Sequence, residues 1–88
     1  MYLERMQTLE RLHTLIHRKA TGDRTTLARK LDISERSVYR MLDHLRYLGA
    51  EIGYDSERPS YYYVNDFALQ VTVKVWIDGE EFLIIGGG

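Results

Sequence analysis

The apolar residues change period at Gly49, and this switch restricts the chain to a helical first half and a β-rich second half. Before Gly49 they recur every three or four positions. Leu3, Met6, Leu9, Leu12 and Ile16 form one stripe, with Glu4, Arg5, Glu10 and Arg11 between them, which predicts a helix over 3–20 stopped by Gly22. Asp23 suits the N-cap of a second helix over 24–31, because its carboxylate can accept backbone N–H bonds of the first turn. Asp32-Ile33 reads as a tight turn. Ser34 then caps a third helix that runs to about Leu48 and ends at Gly49. Stepping 100° per residue around that helix gathers Val38, Met41, Leu42, Leu45 and Leu48 on the inner face. Arg36, Arg40, Asp43 and Tyr47 fall on the outer one.

After Gly49 the pattern suits strands. Glu51–Tyr54 and Tyr61–Val64 are short β-like runs joined by the polar stretch Asp55-Ser56-Glu57-Arg58-Pro59-Ser60. Alternation sets Tyr62 opposite to Tyr61 and Tyr63. Val71–Ile77 and Glu80–Ile85 flank Asp78-Gly79, a pair suited to a two-residue type I′ turn. Trp76 with Val73, Val75, Ile77, Phe82, Ile84 and Ile85 makes this second hairpin apolar on both sides. It must therefore pack on the first helix or pair with another chain. The last glycines read as a frayed tail. The fold class is α+β, with residues 1–65 as one domain and 66–88 as a C-terminal hairpin and possible dimerisation element.

The 88 residues contain no cysteine, which excludes disulfide frameworks, cysteine zinc sites and thiol nucleophiles. Met1–Arg5 has no apolar leader pattern and no apolar run is long enough to cross a bilayer, so a cytoplasmic location is expected, with no membrane partner. The net charge of -1 conceals an asymmetry. From Arg18 to Arg46 eight cations face four anions, a local charge of +4; from Tyr47 onward two cations face seven anions, giving -5. A phosphate backbone responds to a local basic face, not to total charge.

Leu27-Ala28, Leu31, Ile33, Val38 and Met41-Leu42 have the spacing of a rigid two-helix corner. Ala28 is small where the helices cross, Ile33 plugs the turn, and Val38 packs the second helix on the first. The run from Leu27 to Arg40, LARKLDISERSVYR, resembles the helix-turn-helix signature of bacterial winged helix-turn-helix regulators, of the DeoR-like, biotin-repressor-like and WYL-domain groups. Tyr54 to Tyr63 is similar to the wing of such domains, and the resemblance covers roughly residues 5–65. It implies a three-helix winged helix-turn-helix that binds double-stranded DNA sequence-specifically in transcription regulation. The recognition helix, about 35–48, would enter the major groove, and the wing, 52–63, would touch the backbone or minor groove. The chain departs from the pattern at Asp32, where glycine is usual, and at Met41, where aspartate is frequent. Residues 66–88 stand in place of a sensor domain, so no small-molecule effector is expected.

Chemistry distributes the roles. Arg36 and Arg40 can each donate two hydrogen bonds to a guanine edge, or pair with phosphate. Ser34, Ser37 and Tyr39 can bond phosphate oxygens and fix the register. Arg29, Lys30 and Arg24 would lie near the backbone, and Arg58 is the one cation at the wing tip. Against this stands the plain reading of solvated surface charges, together with a protein–protein interaction module built on the same fold. His13 and His17 have metal-compatible spacing, but no carboxylate or cysteine completes a site. No nucleophile lies beside a base and no glycine-rich loop precedes a helix, so neither enzyme nor cofactor chemistry is expected. A homodimer is expected from the second hairpin.

Overall fold

The computed structural model describes residues 2–86. Three helices come first: α1 (Tyr2–His17), α2 (Arg24–Leu31) and α3 (Glu35–Tyr47). Two antiparallel hairpins follow, β1 (Ile52–Asp55) with β2 (Ser60–Tyr63), and β3 (Val71–Ile77) with β4 (Glu80–Gly86). The architecture is thus α+β, as expected. The side chains of Leu3 and Ile85 and the tail after Gly86, which entered the expectations above, lie outside the described residues.

Local chemistry sets most boundaries. The Asp23 carboxylate accepts the Thr26 N–H at 2.8 Å, and the Ser34 hydroxyl accepts the Ser37 N–H at 3.1 Å, so both expected N-caps are in place. Each helix ends in one pattern of two reversed hydrogen bonds around a left-handed residue. For α2 they run from Asp32 N–H to Arg29 O and from Ile33 N–H to Ala28 O; for α3, from Gly49 N–H to Arg46 O and from Ala50 N–H to Leu45 O. Asp32 has φ 54° and Gly49 φ 112°. For α1 the left-handed residue is Lys19, at φ 54°, with bonds from Lys19 N–H to Ile16 O and from Ala20 N–H to Leu15 O. The expected helix over 3–20 therefore ends at His17. A non-glycine residue turns the chain before Gly22 is reached.

The core gathers Leu12 and Ile16 of α1, Leu27, Ala28 and Leu31 of α2, Val38, Leu42 and Leu45 of α3, and Ala50. Ile33, Met41, Ile52, Tyr61, Tyr63, Phe67 and Leu69 pack around it. The inner face of α3 is as expected except at Leu48, which is 55% exposed because it caps the helix just where the chain turns away. In the first hairpin Tyr61 and Tyr63 face the core, whereas Tyr62 lies on the other side, its ring over Gly53, its cross-strand partner. Only a residue without a Cβ fits beneath that ring undisturbed: a Cβ there would lie 2.7 Å from the ring tip.

The second hairpin has the predicted register and turn. Ile77 pairs with Glu80, and Asp78 and Gly79 both have positive φ, at 51° and 82°. Among the described residues, none beyond Leu69 belongs to the core cluster. Trp76, Ile77, Phe82, Leu83 and Ile84 are all exposed, so these side chains are not covered by the first helix. The radius of gyration, 14.4 Å, exceeds the ~12 Å of a compact chain of this length.

Candidate functional site

The outer face of α3 begins at its capped N-terminus. Ser34 Oγ accepts from the Ser37 backbone and donates to Ser37 Oγ at 3.0 Å, so the two hydroxyls are already engaged in shaping the first turn. Arg36 and Arg40 follow, one helical turn apart, both exposed. Among the described interactions neither guanidinium is held by an ion pair or a hydrogen bond. The helix is braced from beneath by Val38, Leu42 and Leu45, of which the most exposed is 1% accessible. Two unengaged cations thus project from a rigid support.

Arg24, expected near a DNA backbone, is instead engaged within the protein, a part the sequence does not signal. Its Nε donates to Glu35 Oε1 at 2.9 Å, and its guanidinium carbon lies 4.6 Å from the centre of the Tyr39 ring. One side chain from the start of α2 therefore holds two residues on the N-terminal half of α3. Tyr39 keeps 48% of its surface exposed. The separation of Arg24 from Glu35 and Tyr39 in the chain gives no local signal of this clamp.

The remaining candidate cations are dispersed. Arg29 is exposed on α2, and its charge helps hold the Asp23 carboxyl below its ordinary value, after the dominant effect of the Thr26 hydrogen bonds. Lys30 donates to the Ala20 carbonyl at 2.7 Å and so staples the α1–α2 connection. Arg58 sits at the tip of the first hairpin, where Asp55 Oδ1 accepts the backbone N–H groups of both Glu57 and Arg58 and fixes the turn. Beside this tip is an open cleft of about 410 Å³, lined by Lys19, Arg58, Ser60 and Tyr62 among others.

Two non-local contacts position the first hairpin against the helices. Thr21, fully buried, and Ser60, 2% exposed, interlock. Thr21 N–H donates to Ser60 Oγ at 3.2 Å, and Tyr61 N–H donates to Thr21 Oγ1 at 2.8 Å. The Thr21 hydroxyl donates to Gly22 O, and the Ser60 hydroxyl to Tyr61 O, each at 2.8 Å. Further along, His13 Nδ1 and the Tyr63 hydroxyl share a hydrogen bond of 2.7 Å. Burial, and secondarily the charge of His17, lowers the His13 pKa, and burial raises that of Tyr63. The His13 and His17 rings are 6.0 Å apart, but no group of three metal-ligating side chains occurs among the described residues.

No protein-family model, curated protein or solved structure matches this chain. No described helix is long and apolar enough to cross a membrane.

Proposed function

We propose that the chain is a winged helix-turn-helix domain that binds double-stranded DNA sequence-specifically, as in transcription regulation. In this reading α3 is the recognition helix in the major groove, and the β1–β2 hairpin is the wing against the backbone or minor groove. One observation carries it: Arg36 and Arg40 stand unengaged, one turn apart, on the exposed face of a helix whose other face is buried. The corner from Leu27 to Leu42 and the hairpin directly after α3 support it. The charge of +4 between Arg18 and Arg46 adds to that support.

The roles divide by what each side chain has left to offer. Arg36 and Arg40 read base edges. Tyr39, steadied by Arg24, presents its hydroxyl to a phosphate. Ser34 and Ser37 offer remaining lone pairs and set the register of the helix end. Arg29 lies over the backbone, Lys30 retains two N–H donors beyond its bond to Ala20, and Arg58 reaches from the wing. Selection from random duplex DNA, followed by titration of the selected site, tests this reading. Arg36→Ala or Arg40→Ala should each cost about 1–3 kcal/mol of specific binding. Unchanged affinity in both variants would refute the assignment.

A second reading, a protein-interaction module, is favoured by the exposed apolar side chains of β3 and β4 and the charge of -5 after Tyr47. Gel retardation with random duplex at low salt separates the two. DNA binding predicts retardation at micromolar protein that weakens steeply with salt; the alternative predicts none.

A further inference from the structure

We propose that the β3–β4 hairpin is a self-association element, whose occupant is the same hairpin of a second copy, joined edge to edge along β4. Two strands alone are marginal in water, and an open, apolar edge invites another strand. Among the described residues, no core residue lies beyond Leu69, so the folded core does not relieve this hairpin. Trp76, Ile77, Phe82, Leu83 and Ile84 are between 46% and 63% exposed. They stand on both faces of the hairpin, Ile77, Phe82 and Ile84 on one and Trp76 and Leu83 on the other.

The two edges of the hairpin differ. β3 carries Lys74 near its middle, a charge that guards an edge, and its ammonium lies 3.5 Å from Glu81 across the hairpin. β4 has its two charges, Glu80 and Glu81, at one end and none from Phe82 onward. A two-fold axis at Leu83 pairs β4 with its copy in antiparallel fashion. Phe82 then stands opposite Ile84 of the second copy, and Leu83 opposite Leu83. Glu80 and Glu81 stand opposite positions 86 and 85, which carry no charge. No like charges meet, so the edge is complementary to itself. The product is a four-stranded sheet in the order β3–β4–β4–β3, past the size at which a sheet becomes stable on its own. Val73, Val75, Ile77, Phe82 and Ile84 alternate onto a single face of each hairpin, and pairing joins these faces into one.

The test uses the full chain without DNA, so its outcome is independent of the DNA-binding reading. Sedimentation equilibrium should give twice the chain mass of 10.4 kDa in the micromolar range. Leu83→Lys places two ammonium groups on the axis and should weaken self-association at least tenfold while leaving the helical circular dichroism unchanged. Leu83→Cys introduces the sole thiol, on a residue that pairs with itself at about 4.5–5.5 Å between Cα atoms, within disulfide range. Mild oxidation should link most of the Leu83→Cys chains and few of a Lys74→Cys control. A single-chain mass throughout the concentration range, a higher oligomer, or linkage of Lys74→Cys equal to or above that of Leu83→Cys would overturn the proposal.

Discussion

Replacing Thr21 separates the two things that its side chain does. Thr21→Val keeps the shape and removes the hydroxyl. The Tyr61 N–H then loses its acceptor, and the Gly22 carbonyl loses its donor. An unmet buried donor costs about 1–3 kcal/mol, and the hydrogen bond lost at the Gly22 carbonyl adds about one more, so the change should destabilise by about 2–4 kcal/mol. Thr21→Ser keeps the hydroxyl and removes one buried methyl, which should cost about 1 kcal/mol. For a domain of this size each kcal/mol shifts the melting temperature by about 4–8 °C. Urea titration followed by circular dichroism gives both values with little change in slope. As a control, Thr8→Val removes an exposed hydroxyl bonded to Glu4 O and should stay within about 0.5 kcal/mol. If Thr21→Ser proves more damaging than Thr21→Val, the methyl is the important part, and the hydrogen-bonded lock does not hold the first hairpin.

Other perturbations follow from the same geometry. The folded His13 resists protonation, so the unfolded chain binds the proton more readily. Stability should be complete well above the ordinary histidine value of 6.5 and fall as pH drops through it; His13→Gln should flatten that slope. Gly22→Ala should cost about 1–3 kcal/mol by thermal melting, since the residue has φ 71° and a Cβ would sit 2.7 Å from Thr26 Cγ2. Ser34→Ala removes the acceptor of the Ser37 N–H and should lower stability by about 1 kcal/mol in the same urea assay.

The site was legible to different depths. The outward position of Arg36 and Arg40 follows from helical period alone, because Val38, Leu42 and Leu45 fix which side faces the core. The clamp of Arg24 on Glu35 and Tyr39, and the diversion of Lys30 to the Ala20 carbonyl, were not legible. Both join residues about ten or more positions apart, and only the crossing of the helices brings them together. The hydrogen bond of His13 was hidden for a similar reason: its partner Tyr63 lies fifty residues away.

The sequence by itself determined the elements and most of their ends. Caps at Asp23 and Ser34, left-handed positions at Asp32 and Gly49, and the Asp78-Gly79 turn act over one or two turns of chain, so their chemistry is written locally. Tertiary structure decided where α1 stops and what holds the first hairpin. Lys19 adopts a left-handed conformation two residues before Thr21, which must reach Ser60 and Tyr61 some forty residues on. Burying those polar groups is favourable only when they meet, and no local pattern records a meeting that exists only in the folded chain.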